Sequence, residues 1–264
     1  MTADRAATGP EQWTVLLLAG ARPGGDALTQ SLGVDYKPLL PIEGEPMLLR
    51  PLRALLAVEH VAAVRVLTQQ VDRLAALMPS DPRVTVEPSD QTIAATMQRI
   101  CADPATRFPL LVTAADHALL TPAMVREFIA GSAECDISIG FVSRSNMLTR
   151  FPDAQRTWLR FGQERYSGAN LFALRTRAAR IGIERWRAVE QDRKKGWRVL
   201  LQMGLPLFLG AVLRVRDLDA TARGLSRSLG IVIKGIVLSD PTAAIDVDKP
   251  ADYTLVNDIL AGRA

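Results

Sequence analysis

The sequence predicts an α/β fold with a mostly parallel, doubly wound (Rossmann-like) central sheet. Three observations carry that expectation. Short apolar runs alternate with stretches of helical spacing through the first half of the chain, the pattern that crossover helices leave in a sequence. The first run, residues 13–20 (WTVLLLAG), has no polar alternation and ends in glycine, as a strand covered on both faces does. The chain has 264 residues, 48% hydrophobic and 23% charged, which is enough to bury a full core without staples.

The elements follow in order. Residues 21–35 read as a loop broken by Pro23, Gly24 and Gly25. Residues 46–59 place Met47, Leu48, Leu52, Leu55 and Leu56 at helical spacing. Strands are expected at 63–68, 84–87, 109–114 and 136–142, with helices at 72–78, 91–102 and 122–131. After Ser143 the pattern changes. Residues 144–166 are charged and aromatic (Trp158, Phe161, Tyr166), and 175–198 form a basic helical region. A late strand is expected at 231–238 and a final helix at 251–260. No repeat and no Pro- or Ser-rich linker divides the chain. The expectation is a polar tail over 1–12 and one domain over 13–264, elaborated between about 143 and 230.

Composition excludes several classes of function. Cys101 and Cys135 have no CxxC spacing, which rules out a disulfide scaffold and suits a reducing compartment. Two histidines, His60 and His117, exclude a three-histidine metal site. A net charge of +4 without a block of five like charges argues against nucleic acid as a partner. Residues 1–12 carry no apolar targeting core, and the nearly apolar stretch 199–213 is too short to span a bilayer. A soluble, cytoplasmic protein is expected. Nothing in the sequence sets an oligomeric state.

In a doubly wound sheet, ligands bind outside the carboxyl ends of the strands. Residues 20–25 and Ala115-Asp116-His117 fall there. Gly20, Gly24 and Gly25 let backbone N–H groups approach a phosphate, but their spacing is neither GxGxxG nor GxxxxGK[ST]. Pro38, Pro41 and Pro46 are expected to hold the next segment extended, with Lys37 near the glycine loop to meet triphosphate charge. Each feature also has a plainer reading. The loop can be an ordinary turn and Lys37 a surface lysine. Asp116 can cap the helix at Pro122, and Asp246 or Asp252 can cap the last helix. His117 reads as a hydrogen-bonding residue of the rim, and the cysteines as small core residues.

Three strings carry a resemblance: LLLAG at 16–20, YKPLLPIEGEPML at 36–48 and IDVDKPADY at 245–253. In this order the chain resembles the GT-A-like nucleotidyltransferase superfamily, in particular molybdenum-cofactor guanylyltransferase-like NTP transferase domains, over residues 13–260. The resemblance implies Mg²⁺-dependent transfer of NMP from CTP or GTP to a small phosphorylated acceptor, with release of pyrophosphate. It implies that Leu18, Ala19 and Gly20 line the nucleotide and that Gln91 and Thr92 lie near the base. Ala21 stands where the family's loop has a second glycine, and Arg22 is the cation available in that loop. Lys37 would contact the phosphates or the transition state. Asp116 and Asp246 would hold Mg²⁺, with Asp248 beside them. Gly168 and Asn170 would face the acceptor.

Residues 193–213 place Lys194, Lys195 and Trp197 ahead of the apolar stretch. This reads as a solvated basic face before buried structure, as a weak membrane-surface contact, or as Lys194 and Lys195 recognising the acceptor phosphate. Two other functions fit parts of the sequence. A GT-A-type glycosyltransferase using a nucleotide sugar fits Asp246-Val247-Asp248, formally a DxD motif. A non-catalytic nucleotide-sensing module fits the altered glycine loop.

Overall fold

The first strand sets the layers. Trp13, Val15 and Leu17 enter one core and Leu16 the other, so this strand is buried on both faces. The structure, a computed structural model, describes residues 11–21, 27–191 and 217–264. Its elements through the first half are β1 (Trp13–Leu18), α1 (Ala27–Ser31), β2 (Pro41–Ile42), β3 (Glu45–Pro46), α2 (Leu49–Leu56), β4 (Val61–Thr68), α3 (Val71–Ala75), β5 (Val84–Pro88), α4 (Ile93–Ala102) and β6 (Leu110–Ala114). They continue as α5 (Pro122–Gly131), β7 (Ile137–Ser143), α6 (Arg144–Arg150), β8 (Leu159–Phe161), β9 (Glu164–Leu174), α7 (Ala179–Gln191), α8 (Leu218–Leu229), β10 (Ile233–Val237) and α9 (Pro250–Leu260).

Among the described residues the main sheet has eight strands in the order β10-β7-β9-β6-β1-β4-β5, with β8 beside β9. The β1–β4, β1–β6, β4–β5 and β7–β10 pairs are parallel. β9 runs antiparallel to β6, β7 and β8, so among the described strands it alone opposes the common direction. Helices cover both faces. α2, α5 and α9 bring Leu52, Leu55, Val125, Phe128 and Val256 to the core of Trp13. α4 and α7 bring Met97, Ile100, Ala179 and Ile183 to the core of Leu16. The expected α/β class and its mostly parallel sheet are what the structure has.

Three local expectations need correction. Residues 37–39 form a 3-10 turn rather than an extended run, because proline's φ suits the first turn of a helix equally well. The helix expected from 46 starts at Leu49, because β2 and β3 form a hairpin through Glu43 and Gly44, both at positive φ. The loop expected over 21–35 contains α1. β9 was not expected at all. Its inward residues, Ser167, Ala169, Leu171 and Ala173, are mostly small, so its alternation is weak in hydrophobicity although regular in burial. No helix among the described residues is long and apolar enough to cross a membrane.

Candidate active site

The site lies at the carboxyl ends of β1, β4 and β6. Ala19 N–H donates to Leu67 O at 2.8 Å, and Ala115 N–H donates to Leu18 O at 2.9 Å, so these strand ends meet at one rim. Buried Tyr36 locks the exit of β1. Its hydroxyl donates to Ala19 O at 2.5 Å and lies 2.6 Å from Thr68 Oγ1. Gln69 Oε1 accepts from Ala21 N–H at 3.0 Å. A Cβ at Gly20 would come within 2.9 Å of the Gln69 amide, the far end of a flexible side chain.

The turn after Tyr36 aims Lys37 across the rim. Its ammonium donates to Asp116 Oδ2 at 2.8 Å and to Asp248 Oδ1 at 2.5 Å. Burial works against the charged amine. The Asp116 charge and the hydrogen bonds to Asp116 and Asp248 outweigh it, and Lys37 is held above the ordinary lysine range. Asp116 follows β6, and its backbone carbonyl accepts from Val247 N–H at 3.1 Å, which ties the 245–249 segment to the strand end. Asp116 does not cap the helix at Pro122; Thr121 does, accepting from Met124 N–H at 3.3 Å. His117, next to Asp116 in the chain, is buried, and burial holds its imidazole down to about 4.

Asp246 is surrounded differently. Its Oδ1 accepts from Arg156 at 2.8 Å, and its Oδ2 lies 3.4 Å from the Asn170 amide nitrogen. The second arm of Arg156 donates to Asp252 Oδ1 at 2.9 Å. Asp252 Oδ2 accepts from Lys249 N–H at 3.0 Å, so Asp252, not Asp246, serves the start of α9. Burial, then the charges of Asp248 and Asp116, push Asp246 up to about 6 against the opposing pull of Arg156. Asn170 sits where the β7–β9 register shifts. Between paired positions, residues 168–172 of β9 face residues 139–141 of β7. Its φ of 47° is the left-handed conformation that asparagine tolerates. The bulge turns the Asn170 amide toward Asp246.

The structure therefore brings Leu18, Ala19, Gly20, Lys37, Asp116, Asn170, Asp246 and Asp248 to one rim. Gly168 is exposed, with open space about its α-carbon. Gln91 is exposed just before α4, and the Thr92 hydroxyl caps that helix by accepting from Ala95 N–H at 3.1 Å. Arg22, Lys194 and Lys195, and the proposed surface element at 193–213, lie outside the described residues. Tyr36, Arg156 and Asp252 were not read as site residues in the sequence. Tyr36 precedes Lys37 in the resemblance string, and Asp252 stands in the last one. Arg156 had no sequence signal, because it lies in an irregular segment.

A divalent cation fits this arrangement by its chemistry. Mg²⁺ is ordinarily held by one or two carboxylates together with substrate phosphates. Asp116 Oδ1 is buried and has no hydrogen-bond partner among the described residues, as an atom reserved for a cation would be. No group of three or more acidic, histidine or cysteine side chains among the described residues forms an all-protein cage.

Comparisons with known proteins agree with this fold. The family model of the MobA-like NTP transferase domain matches residues 23–209. No curated protein sequence matches the chain. A hypothetical transferase from Thermus thermophilus is similar in structure, with a TM-score of 0.73 and 22% identity, covering 92% of this chain and 99% of that one. A 4-diphosphocytidyl-2C-methyl-D-erythritol synthase from Anaerococcus prevotii has a TM-score of 0.60 and 10% identity, covering 96% and 97%. A CMP:2-keto-3-deoxy-manno-octonic acid synthetase solved with CTP has a TM-score of 0.54 and 13% identity, covering 97% and 100%. At these identities the solved structures share the fold.

Proposed function

We propose, from the premise that this chain belongs to the MobA-like NTP transferase domain family and is thus a nucleotidyltransferase, that it moves NMP from CTP or GTP to a small phosphorylated acceptor with the help of Mg²⁺. One observation carries the reading. Lys37 joins the carboxylates of Asp116 and Asp248 beside the Ala19-Gly20 exit of β1, Asp246 is near enough to feel the charge of both, and Asp116 keeps a buried oxygen without a partner among the described residues.

The acceptor phosphate is the nucleophile. Its oxygen attacks the α-phosphorus, the bond to the bridging α–β oxygen breaks, and pyrophosphate leaves. Such a nucleophile is already charged and needs no strong general base. Asp116 and Asp246 would hold the metal, which when bound supplies neutralisation of charge on the triphosphate. Lys37 stays charged, because its amine is held above its ordinary range, and it stabilises negative charge on the departing phosphates. Leu18, Ala19 and Gly20 line the nucleotide, with Gln91 and Thr92 toward the base. Asn170 and the open space at Gly168 face the acceptor. One domain over 13–264 accounts for a sheet that draws strands from both halves of the chain. Buried, unpaired Cys101 and Cys135 support a reducing, cytoplasmic setting.

The test is the melting temperature with each of the four NTPs, with and without Mg²⁺, followed by pyrophosphate release. A ligand at about 100 times its Kd adds roughly 2.7 kcal/mol, on the order of 5–10 °C for a chain of this size. One NTP is expected to give a Mg²⁺-dependent shift, and Asp116→Asn to lose the Mg²⁺-dependent part. Absence of a shift with every NTP would overturn the donor assignment. Wild-type pyrophosphate release by Asp116→Asn would overturn the metal assignment. Binding without turnover would favour the sensing module.

A further inference from the structure

Arg156 lies in the irregular segment between α6 and β8, outside every motif of the site. Its side chain is only 7% exposed, and it forks between Asp246 Oδ1 at 2.8 Å and Asp252 Oδ1 at 2.9 Å. Asp252 is itself fixed, because its other oxygen accepts from Lys249 N–H at the start of α9. Arg156 Nε is buried and has no hydrogen-bond partner among the described residues. Stability alone is a poor reason for such a residue. Buried ion pairs are often no more stabilising than apolar packing, and an unsatisfied buried donor adds a cost. The network's consequence is geometric. With Oδ1 held by the guanidinium, the rotation of the Asp246 carboxylate is set, and Oδ2 lies on the side of the Asn170 amide 3.4 Å away.

We infer that Arg156 is a positioning residue: anchored by Asp252, it fixes the rotation of the Asp246 carboxylate so that one oxygen is always presented to the divalent cation. The inference rests on the metal reading of Asp116 and Asp246 given above. Positioning and simple charge balance predict opposite signs. A cation that merely competes with the metal would, when removed, leave Asp246 more negative and the metal bound more tightly. A residue that orients the ligand would, when removed, leave the metal bound more weakly. Loss of the groups that orient a metal ligand typically weakens binding by about 10–100-fold.

The experiment is a Mn²⁺ titration followed by electron paramagnetic resonance, with and without inorganic pyrophosphate, on wild type, Asp116→Asn, Arg156→Gln and Arg156→Lys. Expected is binding by wild type, loss in Asp116→Asn and about tenfold weakening in Arg156→Gln. Arg156→Lys, which keeps the charge and loses the fork, restores part of the affinity. If Arg156→Gln does not fold, Arg156→Lys decides alone, by binding Mn²⁺ more weakly than wild type. Wild-type affinity in the folded Arg156 variants, or tighter binding, overturns the inference and leaves the metal reading intact. No Mn²⁺ binding by wild type in either condition overturns the metal reading and the inference together.

Discussion

The two carboxylate–cation clusters of the site are built in opposite ways. On one side an ammonium on a flexible stem, Lys37, bridges Asp116 and Asp248, and the Asp248 side chain is half-exposed. On the other a guanidinium, Arg156, forks between Asp246 and Asp252 almost out of reach of solvent. An ammonium is a compact point charge that changes partners at low cost, whereas a buried planar fork is geometrically committed. The difference teaches a division of labour. On the proposed mechanism the Lys37 side would exchange its partners for phosphates, and the Arg156 side would hold a ligand in place.

The sharpest way to break this comparison is stability. Arg156→Gln leaves Asp246 and Asp252 without their buried partner and is expected to cost about 3–5 kcal/mol. Lys37→Gln should cost less than half of that. Urea midpoints of both variants check it, and equal losses would erase the distinction. Activity should then rank the other way per unit of stability lost. Lys37→Gln is expected to lower pyrophosphate release about 10²–10³-fold, equivalent to ~2.7–4 kcal/mol of barrier, with the fold retained. A variant that keeps wild-type turnover would remove Lys37 from the exchanging role.

His117, next to Asp116 in the chain, sharpens the comparison through pH. His117 is neutral in the folded state, with its pKa held at about 4 against an ordinary 6.5. The unfolded chain therefore binds the extra proton first as pH falls. The stability from keeping His117 neutral is complete above pH 6.5 and is lost as pH falls through about 4, a loss of about 3 kcal/mol. Asp246 titrates in the opposite sense. Raised to about 6, it takes up a proton in the folded state first and gains stability as pH falls. The difference in urea stability between wild type and His117→Gln across this range isolates the histidine. A difference that does not change with pH would refute its buried neutral state. The smallest effect is expected at the β1 exit. Tyr36→Phe removes the hydroxyl shared by Ala19 and Thr68 and should cost about 1 kcal/mol. The same variant should also weaken NTP binding, as calorimetry with the NTP that shifts wild type would show.

Much of the sheet is legible in the chain because its signals are local. β1, β4, β6 and β7 are largely apolar runs, and the helices between them carry their cores at helical spacing. Lys37 and Asp116 could be found because both sit where a doubly wound sheet binds ligands. β9 and α8 are harder to read, because both bury mostly small residues. The inward side of β9 includes Ala169 and Ala173, and that of α8 includes Ala222 and Gly224. The ends of α8 are readable in hindsight: Asp217 caps its start and Gly230, at positive φ, ends it. The bulge at Asn170 leaves almost no local trace, because it depends on the register of a neighbouring strand.

By itself the sequence determined the layered α/β fold, which follows from periodicity and from residue types within short windows, and the resemblance of its motifs pointed to the lysine and carboxylates proposed for the site. Tertiary structure decided which carboxylate shares which cation. Lys37 meets Asp116 across 79 positions and Asp248 across 211, and Arg156 meets Asp246 across 90. Partners so far apart are chosen by how strands and loops converge, and no local pattern records the ångströms that separate a bridging ammonium from a buried fork.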